Sequence, residues 1–229
     1  GAFSGCTSTK VTFPESVNSI GEAAFSDCVN LTSLTIPKNV SSIGDRAFYG
    51  CEKVTEIHYN AKNVNDKEQN AAVFSHVGEE VDGGSCLIIG AGVQRIPAYL
   101  FAQEECCDPD GDWGFPYYYE VFPNISSVKM LSGACSIGWG AFYGCDELTS
   151  VSFSQGLTKI ESDAFLDCKK LTSVSIPSSV ASIDDYAFAG CTALTSLTIS
   201  EGVSKIGDSA FGGCTSLQKV TLPKSVKKI

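Results

Sequence analysis

The chain has 229 residues, a formal net charge of −10 and 43% hydrophobic residues. That acidity argues against nucleic acid and anionic membrane surfaces as partners. No apolar run approaches the ~20 residues of a membrane-spanning helix, so direct membrane insertion of this chain is not expected.

In chain order, one pattern recurs. Ile20 and Ile43 are 23 residues apart, as are Ile137, Ile160, Ile183, Ile206 and Ile229. A fixed period in this range marks a solenoid of stacked coils. Each unit reads I-x-x-x-A-F-x-x-C-x-x-L-x-x-[L/V]-x-[I/F/L]-P-x-x-V-x-x. The segment Leu171-Thr172-Ser173-Val174-Ser175-Ile176 ends in period-two alternation, which predicts a short strand with apolar members inward and hydroxyls outward. Pro177 lacks an N–H and ends the strand. Val180 and Ile183 return the chain inward through a second extended piece. Acidic residues before Ala-Phe, as at Asp45 and Asp208, predict one turn of helix or 3₁₀.

Unit one is short, with Ala2-Phe3, Cys6 and Val11-Thr12-Phe13. Units two and three, from Ile20 and Ile43, are regular up to Tyr59. Residues 60–95 hold an irregular fourth unit without its isoleucine anchor. In it Val73-Phe74 stands for Ala-Phe, Leu87 for Leu34, Ile89 for Ile36, Val93 for Val40 and Ile96 for Ile43. Its extra residues, 78–85, are acidic and Gly-rich and read as a surface loop. Unit five, from Ile96, uses Leu100-Phe101. Phe25 to Leu31 spans six residues whereas Phe101 to Ile125 spans 24, an insertion of 18 residues lying roughly at 103–122. Units six to nine are regular. The expected architecture is a single domain over 1–229: a right-handed, curved coil with about nine short parallel strands on one side. Short helical or 3₁₀ turns and extended segments make up the other side. The chain starts and stops within units, which reads as an internal fragment of a longer protein.

Seven of the 11 cysteines, Cys6, Cys28, Cys51, Cys145, Cys168, Cys191 and Cys214, occupy one repeat position. Their spacing reads as a ladder of small buried thiols rather than metal ligands. Cys86, Cys106, Cys107 and Cys135 lie off the ladder, where a disulfide is an open alternative in an oxidising compartment.

The recurring I-G-x-x-A-F-x-x-C-x-x-L-T-S-[L/V] block, as from Ile20-Gly21 to Leu34, resembles the leucine-rich repeats of BspA-like bacterial surface proteins, over essentially the whole chain. The resemblance implies a leucine-rich-repeat solenoid in a secreted or cell-envelope protein. It implies adhesion or recognition of a host or neighbouring-cell protein or glycan, without catalytic residues. A stalk presenting another domain, or an accessory module of a carbohydrate-active protein, is the alternative.

Two surfaces are candidates for recognition. One is the outward strand face, mostly hydroxyls but carrying Glu56, His58 and Lys129. Small β-formers also suit a plain exposed sheet. The other is the insertion, where Trp113, Phe115, Tyr117, Tyr118, Tyr119 and Phe122 sit among carboxylates; such rings serve equally as binding anchors or as cover for an interrupted core. Asp108, Asp110 and Asp112 alternate in a manner that suggests calcium, but Gly111 and Tyr119 fall where an EF-hand loop needs other residues, so a solvated turn is preferred. No cofactor is expected. His58 and His76 have no accompanying nucleophile motif, so no enzyme is expected either.

Overall fold

The computed structural model describes residues 1–68, 71–102, 104–105, 120–121, 123–133 and 135–229, the backbone alone at 104–105 and 120–121. The alternating segments form strands that stack in parallel, in register with the repeat. The long sheet runs, in spatial order, Ser33–Ile36, Glu56–Tyr59, Ser85–Ile89, Ile125–Met130, Ser150–Ser152, Ser173–Ile176 and Ser196–Ile199. Its seven strands, about 4.8 Å apart, extend about 29 Å. Leu34, Ile57, Leu87, Val128 and Val151 are aligned strand to strand. The irregular fourth unit therefore enters the sheet at the positions its sequence assigns. Nine strands were expected. The first unit joins only through a bridge from Lys10 to Ser33. The last strand segment lies outside the ladder, with Val220 and Leu222 exposed, because it has a neighbour on one side only.

The return piece makes a second side. Arg95–Ile96, Cys135–Ile137, Leu157–Ile160, Ser182–Ile183 and Lys205–Ile206 pair in parallel, with the isoleucines stacked. Ser19–Ile20 and Ser42–Ile43 form a separate pair. The break falls where the anchor is missing. Asp66 stands 23 residues after Ile43, and its Oδ1 accepts the Ala98 amide at 2.9 Å and the Arg95 guanidinium. A carboxylate thus does locally what a ladder carbonyl does elsewhere.

The third side corrects the expected helical turn. No helix or 3₁₀ turn forms among the described residues. Left-handed φ recurs two residues before and two after the turn phenylalanines, as at Ala23 (49°) and Asp27 (58°), Asp163 (57°) and Asp167 (58°), or Tyr186 (56°) and Gly190 (70°). This alternation turns every second amide along the stack. Ala23, Phe25 and Asp27 donate to Asp45, Ala47 and Tyr49 carbonyls at 2.9, 2.8 and 2.7 Å. Asp163, Phe165 and Asp167 donate in the same way to Asp185, Ala187 and Ala189. A helix would spend those amides within its own coil and leave the neighbour's carbonyls unmet. The axial bonds offset the roughly 1 kcal/mol that a left-handed non-Gly residue costs.

Nine phenylalanine rings form a continuous column, buried along its length and open at its ends, where Phe3 is exposed and Phe211 half-buried. Phe3, Phe25, Phe48, Phe74, Phe101, Phe142, Phe165, Phe188 and Phe211 stack at centroid distances between 4.8 and 5.8 Å. Phe74 and Phe101, from the irregular units, are in line with the rest. The cysteines have a definite partner: Cys51, Cys145, Cys168, Cys191 and Cys214 donate Sγ–H to the carbonyls of Phe25, Phe101, Phe142, Phe165 and Phe188, at 3.1 to 3.3 Å. The thiol is a second donor to that carbonyl, since Phe142, Phe165 and Phe188 O also accept the amides of Cys145, Cys168 and Cys191. At one end the ladder departs from free thiols, since Cys6 and Cys28 form a disulfide with Cα atoms 4.8 Å apart.

Phe165→Ala removes a ring from the middle of the column and should cost about 3–5 kcal/mol in urea unfolding. Burial raises the Cys168 thiol well above its ordinary value of 9.0 and pushes Cys51 up to about 12. The unfolded chain ionises these thiols first. Stability should hold below about pH 9 and fall as pH rises towards 12, with a shallower fall in Cys168→Ala.

Candidate functional site

The long sheet presents two outward rows. One runs Ser33, Glu56, Cys86, Ser127, Ser150, Ser173, Ser196, and the other Thr35, His58, Ile88, Lys129, Ser152, with Ser175 and Thr198 continuing it. The departures from hydroxyl therefore gather on three adjacent strands. Glu56 and His58 share a face two residues apart, with Glu56 Oε2 2.8 Å from His58 Nε2. Both are part-buried, Ile88 is half-buried and Lys129 is exposed. Glu56, His58 and Lys129, singled out separately in the sequence, are thus brought into one patch, with Ile88 between the imidazole and the ammonium. Cys86 lies between Glu56 and Ser127, a member the sequence reading left off the face.

Most hydroxyls beside this sheet have structural duties. Thr32, Thr55, Thr149, Thr172 and Thr195 each donate Oγ1–H to a carbonyl one unit back. Ser41, Thr158 and Ser204 do the same beside the return strands. These eight hydroxyls are accounted for without any ligand.

The two irregular segments meet at one edge. Asn124, where the insertion returns, donates its amide to the Val77 carbonyl at 3.0 Å and its side-chain Nδ2 to Gly78 O at 2.8 Å. The insertion's ends pair as an antiparallel ribbon, Glu104–Glu105 with Glu120–Val121. Trp113, Phe115, Tyr117, Tyr118, Tyr119 and Phe122 lie outside the described residues, as do Cys106, Cys107, Asp108, Asp110 and Asp112. Cys86 and Cys135 are free thiols, so neither takes part in the disulfide left open in the sequence. His76 sits on the same edge, Nδ1 2.5 Å from Glu79 Oε2 and edge-on to the Tyr49 ring. It is 18 residues from His58 in sequence and on a different side of the coil. Among the described residues no group of three or more His, Cys, Asp or Glu side chains is arranged to hold a metal ion.

A second surface escaped the sequence reading. Trp139 and Tyr186 are exposed at the corner where the return strand enters the turn. Comparing repeat columns would have found it, because Trp139 stands where other units carry Glu22, Asp45, Ser162, Asp185 and Asp208.

The model of the BspA-type leucine-rich-repeat region matches residues 1–106 and 116–229, in six copies. A leucine-rich cell surface protein from Faecalibacterium prausnitzii is 30% identical, with 90% of this chain and 51% of that chain covered and a TM-score of 0.48. A leucine-rich-repeat protein from Bacteroides ovatus is 22% identical, with 95% and 58% covered and a TM-score of 0.54, a likeness of fold. The chain thus spans between half and three-fifths of the length of these two proteins. No curated protein matches it.

One chemical test separates face from core. At pH 8, iodoacetamide should modify Cys86 in the native protein while leaving Cys51, Cys145, Cys168 and Cys191 intact, because burial holds those four as thiols. Peptide mass spectrometry before and after denaturation reads the difference.

Proposed function

This chain belongs to the BspA-type leucine-rich-repeat family, and on that footing we propose that it is a non-enzymatic recognition protein of the cell exterior. It binds a protein or glycan of a host or neighbouring cell by contact at many points on a rigid scaffold. The observation that carries this reading is the patch of Glu56, His58, Ile88 and Lys129 on three adjacent strands. Elsewhere on the face Ser and Thr suffice, as at Ser150, Ser152, Ser173 and Ser175. Sheet stability therefore does not call for an imidazole, two opposite charges and an aliphatic side chain here. Together they give a partner an apolar contact framed by both signs of charge, which favours selective docking. The insertion at 103–122 departs from the unit that supplies the third of these strands, and its aromatic residues extend the same proposal. The Cys6–Cys28 disulfide supports an oxidising, extracellular setting. No helix among the described residues is long and apolar enough to cross a membrane.

The test is an array of extracellular-matrix proteins and glycans probed with the intact chain. For whichever partner binds, His58→Ala with Lys129→Ala should lower affinity about tenfold while leaving the melting temperature unchanged. Trp113→Ala with Tyr118→Ala should likewise weaken binding without loss of stability; a large drop in melting temperature would instead make those rings a cover for the core. Partners that bind both double variants as tightly as the parent would remove the proposal.

A further inference from the structure

Among the described residues, Trp139 and Tyr186 are large aromatic side chains that neither the core nor the backbone accounts for. They are 51% and 47% exposed. Tyr186 also occupies a left-handed position (φ 56°) that a bulky side chain does not favour. With Lys159, Glu161, Asp163 and Asp185 they line a shallow groove of about 420 Å³. It sits on the corner between the return strands and the turn, away from the strand-face patch.

The indole is held in place. Its Nε1 donates to Asp163 Oδ2 at 2.6 Å, and the Trp139 amide donates to Glu161 Oε2 at 3.1 Å. On its inner side it meets the Tyr99 ring at 5.5 Å, which itself lies against the backbone of Gly140. An exposed aromatic fixed by polar bonds loses little freedom on binding, which is what makes such rings effective anchors.

The charges of the groove are unevenly compensated. Glu161 is paired with Arg95 at 2.9 Å, and Asp184 with Lys159 at 2.8 Å and Lys205 at 3.7 Å. Among the described residues Asp163 and Asp185 have no cation within ion-pair reach. Two carboxylates without counter-charge therefore flank two exposed rings. An aromatic face attracts a cation through its quadrupole, and a guanidinium can stack on the ring while bonding a carboxylate. A guanidinium already lies over a ring elsewhere in the turns, where Arg46 is 5.9 Å from the Tyr49 ring centroid.

We propose that the groove between Trp139 and Tyr186 docks a basic segment of a partner protein, taking an arginine or lysine side chain between the rings with Asp163 and Asp185 as counter-charges. This goes beyond the strand-face reading and does not depend on it.

The experiment uses a fluorescein-labelled peptide of alternating arginine and glycine, at 150 mM salt, with fluorescence anisotropy as readout. The peptide should bind the full chain, and its citrulline counterpart, of the same shape without the charge, should not. Trp139→Ala and Asp185→Asn should each weaken binding about fivefold or more. Trp139→Phe, which keeps a ring, should weaken it less than Trp139→Ala, and the melting temperature of each variant shows that the fold is kept. Asp82→Asn, an equal change of charge on the loop at 78–85, should leave affinity unchanged. Equal weakening by Asp82→Asn and Asp185→Asn would reduce the effect to diffuse attraction and overturn the proposal. Full affinity in Trp139→Ala would do the same. So would Trp139-dependent binding of cellohexaose without binding of the arginine peptide, which would make the groove a sugar platform.

Discussion

The structure depends on hydrogen bonds that run along the stack rather than within a coil. Among the described residues, a unit folded as two short strands joined by turns, with no helix or hairpin of its own, satisfies few of its own backbone groups. Its strand amides, return-strand amides and alternate turn amides therefore look to neighbouring units. That single requirement explains the parallel sheets and the left-handed residues beside the turn phenylalanines. It also explains the cysteines. When a turn amide is spent on the next coil, the phenylalanine carbonyl points inward, and a small buried thiol one unit on is a second donor that fits.

Repetition of the bond imposes repetition of the packing. Each Phe amide is placed relative to the next coil, so each ring lands on the last, and the column passes through both irregular units without a gap. The irregularity is confined to the outside. Where the isoleucine anchor is absent, Asp66, Arg95 and Lys67 bridge the break in the return sheet through side-chain bonds to Ala98 N and Ile43 O. The extra residues at 78–85 and the ends of the insertion meet at one edge through Asn124. A solenoid tolerates such additions because a surface loop costs only its closure entropy while the axial ladder stays intact.

The same separation frees the surface for recognition. A side chain pointing outward from a strand or a corner contributes little to the stack, so its identity is open to selection for binding. Three adjacent strands depart from hydroxyl at Glu56, His58, Ile88 and Lys129, and one corner departs at Trp139 and Tyr186. These are two unlike surfaces on one rigid body: a mixed patch on the sheet and an aromatic, acidic groove on the back. A scaffold whose coils are locked to each other presents both without paying for their ordering on binding.

From the residues alone, the period, the inward positions and the substitution of Phe74, Leu87, Ile89 and Phe101 into the repeat were all legible. Each is a choice of chemical type at a fixed spacing, and burial leaves few alternatives at such positions. Glu56, His58 and Lys129 were visible one at a time. That they share a patch with Cys86 and Ile88 was decided by register across two irregular units, where loop lengths hide the alignment. The turn conformation was not legible either, because an acidic residue before Ala-Phe suits a helix start as well as a left-handed turn. Only the neighbour's carbonyl selects between them. The groove at Trp139 arises in the same way, since its rings and carboxylates come from successive coils and meet only when the coils are stacked.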